Sequence, residues 1–132
     1  VDAAHNPHAV SAILPELRAA AAGRRSVLLF GAMRDHDHEG MLRLLASLGF
    51  ADAVFTSARA VRAVRPDRLS LEWPSDATCT GPVDAALRRA QQLAGPDGQV
   101  VCLGSIYVIG EVLAALGQGL PPDPEVPFQP NW

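Results

Sequence analysis

Three short runs of mostly consecutive apolar residues, each closing on a residue that turns the chain, limit the folds open to this sequence. They are residues 26–31 (SVLLFG), 51–56 (ADAVFT) and 99–104 (QVVCLG), the last preceded by the turn Gly95-Pro96-Asp97-Gly98. A strand with one wet face alternates polar and apolar residues, whereas an unbroken apolar run belongs to a strand covered on both faces. The segments between them repeat at helical spacing instead. Val10, Ile13, Leu14 and Leu17 form one stripe, and Met41, Leu44, Leu45 and Leu48 a second, stopped by Gly49. Val83, Leu87, Ala90, Leu93 and Ala94 form a third. Val108, Val112, Leu113 and Leu116 form a fourth that ends near Gly117 and Gly119. Asn6 before Pro7 is a helix start, and Pro15 predicts a kink or a split in the helix that follows. Leu69-Ser70-Leu71-Glu72-Trp73 alternates strictly and predicts a fourth, more exposed strand. Strands interleaved with helices imply right-handed crossovers, hence an α/β, Rossmann-like three-layer domain with a mainly parallel sheet flanked by helices.

Such sheets bind ligands at the carboxyl ends of their strands, which directs attention to residues 2–8, 31–39 and 104–111. The domain is expected over residues 1–120, followed by a Pro-rich tail over 121–132 that is extended and poorly packed. A motif begins immediately after Val1, so a longer parent chain is expected. At 132 residues and 13.9 kDa there is room for one domain. The net charge of −3 has no clustered positive surface behind it, so neither nucleic acid nor an anionic membrane is an expected partner. All 11 basic residues are arginine, which excludes a lysine-bearing phosphate loop and any Schiff base within this chain. Cys79 and Cys102 make no disulfide framework, and Cys102 in its apolar run reads as a buried thiol. Nothing resembles a signal peptide or a membrane span, and the cytoplasm is the expected compartment.

The opening Asp2-Ala3-Ala4-His5-Asn6-Pro7-His8 sets a carboxylate, an imidazole and an amide directly before a helix start. Amide hydrogens and the dipole favour an anion there. Asp2 can accept from ribose hydroxyls, and His5 can donate to a phosphate or carboxylate. The same residues equally suit a plain turn, with Asp2 and Asn6 capping it and His5 exposed. Asp35-His36-Asp37-His38-Glu39 is rich in metal-ligand types, but sequence neighbours seldom converge on one ion, so these read as solvated and helix-capping residues. Arg59, Arg62, Arg65 and Arg68 recur every third residue and read as a solvated face.

The opening stretch resembles the D-[GA]-A-H-N-P motif of the C-terminal domain of folylpolyglutamate synthase/dihydrofolate synthase, a branch of the Mur ligase superfamily. Phe30-Gly31-Ala32-Met33-Arg34-Asp35-His36-Asp37 is similar to that family's F-G-A-x-x-D-K-D segment, with Gly40-Met41-Leu42 after it. Gly104-Ser105-Ile106-Tyr107-Val108-Ile109-Gly110-Glu111 is similar to its G-S-L-Y-L-V-G-E segment. The resemblance covers about residues 1–117 and is weakest over 57–80.

The resemblance implies an ADP-forming ligase that joins L-glutamate to folate or dihydropteroate using ATP and Mg2+, through an acyl phosphate. It implies that this domain closes over a central ATPase domain of the same parent chain, which carries the phosphate loop and the metal ligands. Asp2 and His5 would then contact ATP, with His5 also at the reacting groups, and Ser105 and Tyr107 would hold glutamate; no metal ligand is expected in this chain. For Ser105 a helix cap is the alternative, compatible with the first role, and for Tyr107 it is core packing. The 132-residue chain alone is expected to be inactive. A stand-alone α/β module that binds a nucleotide or acidic metabolite without catalysis is the alternative function. A cell-wall peptide ligase domain is disfavoured by the A-H-N-P and G-S-x-Y residues.

Overall fold

Every strand of the sheet runs parallel to its neighbours, in the spatial order β3-β2-β1-β4. The computed structural model describes residues 1–117, so the tail expected over 121–132 and Gly119 lie outside the described residues. The elements are α1 (Pro7–Ala21), β1 (Ser26–Phe30), α2 (His38–Ala46), β2 (Asp52–Phe55), α3 (Pro66–Ser70), β3 (Thr78–Cys79), α4 (Val83–Ala94), β4 (Gln99–Leu103) and α5 (Ile106–Ala115). The register pairs Leu28 with Ala53 and Val101, and Phe30 with Phe55 and Leu103.

Alternate residues of the buried strands feed two separate cores, as a sheet covered on both faces requires. Leu28, Phe30, Ala53, Phe55 and Leu103 pack with Val10 of α1, Met41, Leu42 and Leu45 of α2, and Leu69 of α3. Val27, Leu29, Val54 and Cys102 pack on the other face with Val83, Leu87 and Ala90 of α4 and with Val108 and Val112 of α5. Each large side chain enclosed this way contributes about 1.5–3 kcal/mol of transfer free energy. Burial also pushes the Cys102 thiol up to about 12, the behaviour of an inert core cysteine.

Two expectations need correction. Residues 69–73 do not form a strand. Pro66 sits at the first helical position after Arg65, Asp67 follows in the first turn, and Leu69 turns inward, so the segment makes the short helix α3 and a turn. The fourth strand is instead the two-residue β3, too short to carry a period. Nor does Pro15 divide its helix, for α1 is continuous over its 15 residues. The proline ring lies on the exposed side of α1, where water can satisfy the carbonyl it leaves unpaired.

Beyond the β4 edge, the opening segment runs alongside that strand in the same direction. The Asp2 N–H donates to the Cys102 carbonyl (3.0 Å), and the Gly104 N–H donates to the Ala4 carbonyl (3.2 Å). Ala4 is buried in the first core. The first motif is thereby fastened beside the third, although they are a hundred residues apart in sequence.

Candidate functional site

The loops that leave the opening segment, β1, β2 and β4 all emerge at one end of the sheet, and glycine lets two of them meet. Gly104 has φ +115°, and a Cβ there would stand 2.2 Å from the Gly31 carbonyl oxygen and 2.8 Å from Phe30 Cε2. A Cβ on Gly31 would stand 2.7 Å from Val108 Cγ2 and 2.8 Å from the Thr56 carbonyl oxygen. The turns after β1 and β4 are therefore in backbone contact, which a side chain at position 104 would prevent, while Gly31 lets the β1 turn approach α5 and the end of β2. Gly40 leaves room for side chains instead, since a Cβ there would lie 2.5 Å from Asp37 Oδ2 and 2.9 Å from Pro7 Cγ at the start of α1.

These turns enclose a cleft of about 200 Å³ lined by His5, Met33, Asp35, His36, Arg62, Ile106 and Tyr107. All three segments singled out in the sequence contribute to it. Larger hollows lie elsewhere, one of about 310 Å³ along α4, α5 and β4 and one of about 480 Å³ beside Arg34, Arg65 and Arg68. Neither contains a residue of both the first and third motifs at the carboxyl ends of the strands.

Within the opening turn, the Asp2 carboxylate accepts from the Ala4 N–H at Oδ1 (2.8 Å), and Asn6 Oδ1 accepts from the Ala9 N–H (2.8 Å) as the N-cap of α1. His5 is exposed, and its Nδ1 lies 3.0 Å from the Ala3 carbonyl oxygen. A carbonyl only accepts, so Nδ1 carries the proton and Nε2 is turned to other partners. The His5 and His36 rings lie 5.0 Å apart at 43°. Ser105 is fully enclosed; its Oγ accepts from the Tyr107 N–H (3.2 Å) and caps α5. Tyr107 is half-buried, lining the cleft and also packing against the second core.

α5, whose first-turn Ile106 and Tyr107 line the cleft, and α1, which begins two residues after His5, carry no acidic residue in their first turns, whereas α2, α3 and α4 carry Glu39, Asp67 and Asp84. The positive ends of these two helices thus keep their field for an incoming anion.

The 35–39 segment divides its tasks. Asp37 caps α2 by accepting from the Gly40 N–H (2.9 Å), His38 Nδ1 donates to Glu72 Oε2 (2.7 Å), and Glu39 pairs with Arg43 along the helix. Only Asp35 and His36 line the cleft. Among the described residues no three His, Cys, Asp or Glu side chains converge as a metal would require.

Arg62 was grouped with its arginine neighbours by the sequence, and the structure separates it from them. Its loop is held to the β1 turn by an antiparallel bridge between Met33 and Ala63, by the Arg34 N–H donating to the Arg62 carbonyl (2.7 Å), and by the Val64 N–H donating to the Ala32 carbonyl (2.8 Å). Regular three-residue spacing carries no sign of such long-range pairing, so sequence reasoning missed both Arg62 and Met33.

The family model for the Mur ligase glutamate ligase domain matches residues 1–106. The chain belongs to that family. It is 37% identical over 119 residues to a probable bifunctional folylpolyglutamate synthase/dihydropteroate synthase of Haloferax volcanii, an alignment spanning 84% of this chain and 13% of that protein. Among solved structures it is similar to the Yersinia pestis bifunctional folylpolyglutamate synthase/dihydrofolate synthase complexed with AMPPNP and a manganese ion (28% identity, TM-score 0.79), covering 89% of this chain and 28% of that one. It is also similar to Mycobacterium tuberculosis folylpolyglutamate synthase complexed with ADP (26% identity, TM-score 0.70), covering 93% of this chain and 30% of that one. E. coli FolC in complex with DHPP and ADP shares the fold at TM-score 0.81 and 23% identity, over 88% of this chain and 28% of FolC. The chain thus spans under a third of the length of each of these relatives. Among the described residues no helix is long and apolar enough to cross a membrane.

Proposed function

We propose that this chain is the glutamate-binding, nucleotide-closing domain of a cytoplasmic, ADP-forming ligase that adds L-glutamate to folate, dihydropteroate or both. The observation that carries this reading is the convergence of His5 and Tyr107, from the first and third motifs, on one cleft at the N-terminus of α5, with α1 beginning two residues after His5. The chemistry explains why such a cleft is needed. ATP gives its terminal phosphoryl group to the acceptor carboxylate, and ADP leaves. The glutamate amine then attacks the acyl carbon, phosphate departs with the bonding pair, and the amine loses a proton as the amide forms. Glutamate and phosphate are both anions, so amide hydrogens and positive dipoles must offset their repulsion. The acyl phosphate must also be kept from water, which requires closure against the ATPase domain of a parent chain.

In this reading Asp2 accepts from the nucleotide ribose with the oxygen its own turn leaves over, and His5 lies near the terminal phosphate and the incoming glutamate, where Nε2, an acceptor while Nδ1 holds the proton, takes a hydrogen bond from the glutamate amino group. Tyr107 walls the glutamate subsite. Ser105 serves the glutamate carboxylate through the α5 first turn that it holds in place. The Mg2+ that accompanies ATP is assigned to ligands outside this chain.

The test is the full-length parent protein assayed with ATP, Mg2+ and L-glutamate, using folate monoglutamate and dihydropteroate in turn. ADP release that needs both glutamate and an acceptor is expected. Absence of glutamate-dependent ADP release with either acceptor overturns the reading.

A further inference from the structure

We propose that Arg62 is a ligand-binding residue of the cleft, its guanidinium taking an oxyanion that is either a carboxylate or a phosphoryl group. The proposal rests on the reading of this cleft as the site that handles glutamate and nucleotide.

A guanidinium carries five N–H donors. Arg62 uses them sparingly: Nη1 lies 3.5 Å from Asp35 Oδ2, and Nε is buried without a hydrogen-bond partner. Burying a charged N–H with no acceptor is unfavourable, so such a group marks a place where an acceptor belongs. His36 Nδ1, in the wall of the same cleft, is likewise buried and unpartnered. The neighbouring Arg65 differs, for its guanidinium is engaged by both oxygens of Asp67 (3.2 and 3.0 Å).

The backbone around Arg62 is fixed on both sides by its pairing with the β1 turn, so the guanidinium is presented from a rigid base. Its contact with Asp35 is long and half-exposed, with side-chain exposures of 42% and 50%, and an exposed pair of that kind holds little free energy. A ligand carboxylate or phosphoryl group offers two oxygens in the spacing of the guanidinium fork and can displace Asp35.

The experiment measures Arg62→Gln and Arg62→Lys in the full-length parent enzyme, with Arg68→Gln as a control outside the cleft. Arg62→Gln is expected to raise the KM of one anionic substrate about ten- to a hundredfold, with kcat far less affected. Arg62→Lys should recover part of that loss, because it restores charge without the fork. A rise in the glutamate KM assigns a carboxylate, and a rise in the ATP KM assigns a phosphoryl group. Unchanged KM for both substrates overturns the proposal, as does a uniform loss accompanied by a lowered unfolding midpoint. Should the wild-type enzyme show no glutamate-dependent turnover, the proposed function fails separately. Arg62 is then tested on the 132-residue chain by following its Nε–H resonance during titration with L-glutamate and with inorganic phosphate. Movement with either ion supports the proposal, and a stationary resonance with both overturns it.

Discussion

Gly104→Ala tests whether the site end of the sheet is assembled by backbone contact between the β1 and β4 turns. Two separate costs apply. At φ +115° an L-residue occupies a region that costs about 1–3 kcal/mol. The new Cβ would also overlap the Gly31 carbonyl oxygen at 2.2 Å and Phe30 Cε2 at 2.8 Å. The carbonyl cannot rotate away as a side chain can, and overpacking of that kind costs about 1–3 kcal/mol. The sum, about 4 kcal/mol, is a large part of the about 5–15 kcal/mol that holds a domain together. Gly23→Ala supplies the control, because Gly23 also has positive φ (+74°) but a Cβ there meets nothing within 4 Å. It should cost about 1 kcal/mol from the backbone alone. Urea unfolding of both variants should differ by about 3 kcal/mol, about 2 kcal/mol of it from the contact and the rest from the costlier backbone at +115°. Equal midpoints for the two variants would refute the claim that the turns are locked together.

Further outcomes follow from individual residues. Gly110→Ala lies in α5 with open space around its Cβ and should stabilise the chain by about 0.5–1 kcal/mol in the same urea assay. With its thiol raised from 9.0 to about 12 by burial, Cys102 should resist a thiol reagent at neutral pH in the native chain, while exposed Cys79 reacts quickly, as mass spectrometry would show. The unfolded chain releases that thiol proton first, so the Cys102 contribution to stability is intact below pH 9.0 and is lost as pH rises towards about 12, which denaturant titrations of wild type against Cys102→Ala would resolve. In the full-length enzyme Asp2→Ala should chiefly weaken ATP use and Ser105→Ala chiefly raise the glutamate requirement; indistinguishable kinetic defects would contradict those separate roles.

Most of the fold is legible in the sequence because it rests on local patterns. The runs of β1, β2 and β4 and the stripes of α1, α2, α4 and α5 each declare their period within a few residues. Residues 66–73 mislead because Leu69, Leu71 and Trp73 alternate by chance in a stretch whose conformation is set by Pro66, by the burial of Leu69 and by Trp73 packing on Phe55, while Leu71 is exposed. β3 escapes notice because two residues cannot display a period and owe their strand form to pairing with Val54 and Phe55. At the site, His5 and the segment that holds Tyr107 are found from turns that precede helices, a local signal, while Tyr107 itself is singled out by the resemblance. Arg62 is not, since only the pairing of its loop with Met33 and Arg34 brings it to the cleft. For Ser105 the sequence offers a helix cap beside a glutamate contact, and its Oγ does cap α5 by accepting from the Tyr107 N–H.

The most direct test of the central claim is a titration of the 15N-labelled 132-residue chain with L-glutamate, read at the backbone amides of His5 and Tyr107. If the two turns form one pocket for this amino acid, both resonances shift together along a single binding curve. Shifts confined to one turn, or two curves with different midpoints, would contradict it.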